Sequence, residues 1–165
     1  YLIAKKIRRA QESIINKLIS AALLHDITLA SSRLCQIMDL GSDEFLGLDR
    51  KEKALVKEHA LACSTLLATD DLIDQDVLTI VKEHHELPNG RGFPRGLTHR
   101  NLSGLSMIYI AAIRLADHIY LNGHGASSLA NFLEFLKDAG FDTGHGQRIF
   151  EGVSEVVESA AQQED

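Results

Sequence analysis

The chain has 165 residues, 45% hydrophobic and 24% charged, the composition of one folded domain with its own core rather than of a disordered segment. Its formal net charge of -6 excludes non-specific nucleic-acid binding, which needs a large positive field. Two cysteines without CxxC spacing, Cys35 and Cys63, exclude a disulfide framework and a zinc–thiolate site and make a reducing cytoplasm the expected compartment.

No apolar run approaches the roughly 20 residues of a membrane span, and nothing resembles a signal peptide. The chain opens on Tyr1, inside a helical pattern and without Met, so the expectation is a single domain over 1–165 cut from a longer protein. Lys5, Lys6, Arg8 and Arg9 near the start, and Glu151, Glu155, Glu158, Glu164 and Asp165 near the end, read as solvated helix faces.

The periodicity predicts a first helix over residues 2–24, with Ile14, Ile15, Leu18, Ala22 and His25 recurring at helical spacing. Residues 40–49 are a polar, Gly-containing loop, after which Asp49 and Glu52 form a D-x-x-E capping box for a helix over 50–69. Asp74 is placed to cap a helix running to about His85. LPNGRGFPRGL then carries two Pro and three Gly in eleven residues and must be irregular. Residues 101–121, 126–139 and 146–160 repeat apolar residues every three or four positions, and strand-like alternation is absent. The fold class is all-α. Phe132, Leu133, Phe135 and Leu136 read as core packing rather than a cofactor box.

The informative residues are polar ones on inward faces. His59 stands within the stripe Leu55, Ala62, Leu66, and the stripe Val77, Val81 continues into His84 and His85. Leu18 and Ala22 lead to His25 and Asp26, while Leu105, Tyr109, Ala112, Ile113 and Ala116 lead to Asp117. One buried imidazole commonly finds a carbonyl partner. Four of them with two carboxylates would cost several kcal/mol if left unpaired, comparable with a domain's whole net stability. Metal binding resolves this, and a mixed His/Asp set suits Zn, Fe or Mn rather than Ca.

These residues carry a family likeness. AALLHDI, from Ala21 to Ile27, resembles the HD signature of the HD phosphohydrolase superfamily. VKEHHELPNGRGFPRGL, from Val81 to Leu97, resembles the HD-GYP signature, with Gly92-Phe93-Pro94 in place of Gly-Tyr-Pro. His59 stands where that family has a lone middle histidine, and LADHIY, from Leu115 to Tyr120, resembles the segment holding its final aspartate. The likeness covers residues from about 10 to 122.

The resemblance implies an HD-domain helical bundle with additional C-terminal helices, the family's first helix lying upstream. It implies two or more divalent transition metals (Fe, Mn or Zn) held by His25, Asp26, His59, His84, His85 and Asp117, with Asp26 bridging and catalytic. The implied activity is hydrolysis of cyclic di-GMP to pGpG or GMP in bacterial signalling; composition adds the expectation of no nucleic-acid partner and no membrane span in this fragment. Arg91, Arg95 and Arg100 lie in or beside the GFP loop, where they either clamp phosphate or are solvated; Phe93 or Tyr109 would sit near a guanine.

The chain also departs from the family. Thr28-Leu29 occupies the place of Gly-Lys after the HD pair, and Asn89-Gly90 replaces Asp-Gly. Phe93 lacks the tyrosine hydroxyl, and Tyr120 replaces an aspartate. A leucine neither donates a proton nor stabilises an anion. The alternative to an enzyme is therefore a metal-binding, catalytically weak domain that senses a ligand or meets a signalling partner through the Gly92-Phe93-Pro94 loop. His99, His118, His124 and His145 have no ligand spacing and read as turn and surface residues, including those of NGHG and TGHG.

Overall fold

The structure, a computed structural model, describes residues 1–161. Glu164 and Asp165 of the acidic end lie outside the described residues. The fold is all-α, and among the described residues there is no strand, only an isolated bridge between Asn89 and Thr98. The helices are α1 Leu2–Lys6, α2 Glu12–Leu24, α3 Ser32–Cys35, α4 Asp43–Leu46 and α5 Arg50–Leu67. They continue with α6 Gln75–Glu83, α7 Gly104–Asn122, α8 Ala126–Asp138 and α9 Gln147–Ala161, the last preceded by a 3-10 turn, Gly144–Gly146.

Local sequence explains the helix starts. Asp49 accepts from the N–H groups of Lys51 and Glu52 while Glu52 bonds back to Asp49, which completes the expected capping box of α5. Asp74 accepts from the Asp76 N–H to cap α6, and Ser103 accepts from the Ser106 N–H to cap α7.

The single helix expected over 2–24 is two. It breaks after Ile7, with Arg8 at φ 58, because its halves serve different partners. Ile3 and Ala4 are buried where α1 lies on α9, whereas Ala21 is buried where α2 lies on α6. One straight rod could not face both. The expected polar loop over 40–49 contains the short α4, capped by Ser42.

Three apolar clusters divide the interior. The largest joins α1, α7, α8 and α9 and includes Phe132, Leu136 and Val153. A second, with Ala21, Cys63, Ile80, Val81 and Tyr109, joins α2, α5, α6 and α7. The third packs Leu29, Leu34, Ile37 and Phe45 against Val56 and Phe93. By length and apolarity α7 could cross a membrane, against the expectation from sequence. Here it is a core helix touching α1, α2, α6, α8 and α9, and it carries Arg114 and Asp117.

Candidate metal centre

Three histidines are oriented by the same local device. His25, His59 and His84 each turn Nδ1 back onto the carbonyl three residues earlier, at 3.0 Å to Ala22, 2.7 Å to Val56 and 2.6 Å to Val81. A carbonyl only accepts, so Nδ1 carries the hydrogen, and in the neutral ring Nε2 presents a lone pair. Anchoring of the distal nitrogen in this way is what metal-bound imidazoles show.

The lone pairs then converge. His59 Nε2 and His84 Nε2 lie 3.0 Å apart, and Asp26 Oδ1 lies 3.1 Å from the first and 3.6 Å from the second. Oδ1 is buried and has no hydrogen-bond donor. Donors held ~2.1 Å from one tetrahedral or octahedral ion sit about 3.0–3.4 Å from one another. Two of the three separations fall within that edge length, and the third, His84 to Asp26 at 3.6 Å, lies just above it. With both rings neutral, three acceptors face each other and repel, so the arrangement calls for a cation.

His85 completes the group: one ligand atom from each of Asp26, His59, His84 and His85 lies within 4.8 Å of the others. Its Nδ1 is buried without a partner, and its ring stacks on Phe93 with centroids 4.3 Å apart. The cluster of Asp26, His59, His84 and His85 could hold a metal ion. No family model, no curated protein and no solved structure matches this chain. What can be said of the site therefore comes from its geometry.

Burial works against ionisation of Asp26, yet hydrogen bonding with the His59 and His84 side chains holds its carboxyl well below the usual carboxylate range. Burial pushes His84 and His85 towards the neutral, ligand-competent form, and neighbouring imidazoles push His85 further.

The remaining expected ligands stand further out. His25 Nε2 lies 3.4 Å from Asp26 Oδ2, so the two carboxylate oxygens face different imidazoles. Asp117 is outside the four-residue cluster. It is half-buried, burial raises its carboxyl, and Arg114, His25 and Asp26 act on it electrostatically.

The three residues expected to meet substrate all have partners within the chain. Arg91 pairs with Asp138 on α8, Arg95 reaches Glu83 at 3.2 Å, and Phe93 is buried against His85. Leu29 is likewise a core residue, 9% exposed. The inward stripe of α5 is also corrected. Leu55 and Leu66 are 52% and 51% exposed, and His59 shares its buried face with Val56, Ala60, Cys63 and Leu67. Ala22, Ala112 and Ala116 are exposed as well.

Sequence reading assigned no role to Glu83 and Glu86, which flank the histidine pair. Glu86, fully buried, accepts from the N–H groups of Arg95 and Leu97, both at 2.8 Å. Glu83 accepts from the Ser103 N–H and the Arg95 guanidinium. Together they fold the Gly-rich loop back over α6. Gly92 is required there because a Cβ would overlap the backbone of Glu86 and Leu87. The available signal was two acids beside apolar helix positions, just before a loop whose N–H groups need acceptors.

Two further polar groups near the site also went unforeseen in their roles. Tyr109 OH is buried and unpartnered, with its ring edge-on to His25 at 6.0 Å. Arg114 bonds the Met38 carbonyl through one terminal nitrogen and leaves Nε without a partner.

Proposed function

We propose that the chain is a metal-dependent phosphohydrolase that cleaves a phosphodiester, with cyclic di-GMP as substrate and pGpG or GMP as product, in bacterial cytoplasmic signalling. One observation carries the reading: His59 Nε2, His84 Nε2 and Asp26 Oδ1 converge within 3.6 Å, with both Nδ1 atoms already committed to helix carbonyls. Mn, Fe or Zn suits this donor set, and two or more such ions, when bound, activate water and polarise a phosphate oxygen.

The chain's own residues divide the remaining work. Asp26 directs Oδ1 towards His59 and His84 and Oδ2 towards His25, the disposition of a bridging carboxylate. The carbonyls of Ala22, Val56 and Val81 lock the rings, so the donor atoms need not reorganise. Tyr109 OH, buried beside His25 and bonded to nothing, is a hydroxyl able to give the leaving oxygen a proton where the family's lysine is missing.

The burial of Leu29 favours a second reading, a metal-binding domain that holds its ligand with little turnover. One experiment separates the two. Protein stripped with chelator is reloaded with Mn, Fe or Zn and incubated with cyclic di-GMP, and the products are separated by chromatography. The first reading expects a linear dinucleotide or mononucleotide that disappears in Asp26→Ala. Saturable, metal-dependent binding without product selects the second reading. Neither binding nor turnover with any of the metals removes the substrate assignment.

A further inference from the structure

A second site lies away from the imidazole cluster. Between the α1–α2 connection, the turn leading into α7 and the start of α9 is a cavity of about 830 Å³. That is within the range of small-molecule sites, about 300–1,000 Å³. Arg9, Arg100 and Arg148 line it, and none of the three makes an ion pair among the described residues. Its one carboxylate, Asp76, pairs with Lys17 at 2.6 Å, an ammonium it shares with Asp74 at 3.1 Å.

In a chain of net charge -6, three unpaired guanidiniums on one concavity are not a sample of the average surface. Their like charges favour an anion in the cavity. Arg148 also borders a smaller groove containing Glu151 and Glu155, but those carboxylates do not line this cavity.

The backbone adds donors of the same sign. Gly104 and Leu105 line the cavity as the first two residues of α7, and their N–H groups have no partner within the helix. Such groups, with the positive end of the helix dipole, favour phosphate oxygens. The helix end supplements the arginines and would not make a site without them.

His99 and His145 complete the wall, and His145 belongs to the TGHG segment that the metal centre does not use. Gly144, at φ 56, brings that segment against His99, whose ring a Cβ would meet at 3.0 Å. The turn is thus folded so that its histidine and Arg148 join the arginines from the other two segments.

We infer that this cavity binds a phosphorylated small molecule, its phosphate seated among Arg9, Arg100, Arg148 and the N-terminus of α7. Guanidinium groups match phosphate geometry through paired N–H donors, and the volume leaves room for the rest of a nucleotide-sized ligand. One hydrogen bond links the cavity to the imidazole cluster, since Ser103, which lines it, donates its N–H to Glu83, the residue before His84. A test must therefore silence the metal centre first.

The probes are inorganic phosphate and adenosine monophosphate, with adenosine as the phosphate-free control, titrated calorimetrically into chelator-treated Asp26→Ala protein at low salt. Saturable binding of at least one phosphate probe is expected, with none for adenosine. Arg100→Ala and Arg148→Ala should each weaken it about tenfold or more, the loss of a charge-assisted hydrogen bond. Both arginines are exposed, so truncation leaves the core intact, and circular dichroism checks this. Arg148→Lys should recover part of the affinity. No saturable binding of either phosphate probe, equal binding of adenosine, or affinity unchanged in both alanine variants overturns the assignment. Because the metal centre is disabled throughout, the outcome is independent of whether the protein hydrolyses cyclic di-GMP.

Discussion

His59 and His84, 25 residues apart in sequence, point their Nε2 atoms at each other across 3.0 Å. Both Nδ1 atoms are committed to carbonyls of their own helices, so between neutral rings the contact is repulsive, and a metal ion between the two lone pairs would relieve it.

Metal should therefore stabilise the fold. Adding Mn, Fe or Zn to stripped protein is expected to raise the melting temperature, by about 2.7 kcal/mol of stability at a hundredfold excess over the dissociation constant. His84→Ala and Asp26→Ala should abolish the shift, and elemental analysis should find them depleted. An unchanged melting temperature with every metal would count against the site.

Tyr109→Phe separates proton donation from metal binding. It removes only the unpartnered hydroxyl and keeps the ring that packs on His25. Metal content should be unchanged, while turnover of cyclic di-GMP falls roughly 10²-fold if the hydroxyl assists the leaving group. Equal turnover in the variant would relieve Tyr109 of that role.

Leu29→Lys tests what burial does to a family likeness. By resemblance the substitution restores a catalytic lysine. In the structure position 29 is packed with Leu34, Phe45, Val56 and Phe93. An ammonium there should cost about 2–4 kcal/mol in urea unfolding and bring no gain in rate. A stable variant with faster turnover would show that position 29 can open towards the metal centre.

Glu86→Ala should be among the most damaging substitutions outside the cluster. It strands the N–H groups of Arg95 and Leu97 and removes a fully buried carboxylate. A loss of about 3 kcal/mol is expected in urea unfolding, with weaker metal binding because His85 and Phe93 lose their support. A loss below about 1 kcal/mol would show that water replaces the carboxylate.

Asp74 gives a pH-dependent test remote from the metal. The Asp76 N–H, then Lys17, hold its carboxyl below the ordinary value. A lowered folded-state pKa contributes stability that is present above the unfolded pKa, about 3.9, and lost as pH falls through the folded pKa. Asp74→Ala should cost about 1 kcal/mol at neutral pH through the missing cap, and the difference from wild type should vanish in acid below that range. A difference independent of pH would remove the carboxylate from the explanation.

The sequence by itself determined the all-α class, the caps at Asp49 and Asp74, and Asp26, His59, His84 and His85 as polar residues of a candidate metal site. These are legible because a cap acts over three residues and because buried imidazoles interrupt an apolar period. Only the tertiary structure decided which side of His59 faces inward. Leu55 and Val56 both lie within one helical turn of it, and the choice fell to the elements that cover Val56. It also broke the first helix between two partners, put Leu29 into a core, and tied Arg91 and Arg95 to carboxylates. Helical period records how often a residue returns to a face. Which face is covered, and by what, is set by segments distant in the chain that a local pattern does not encode.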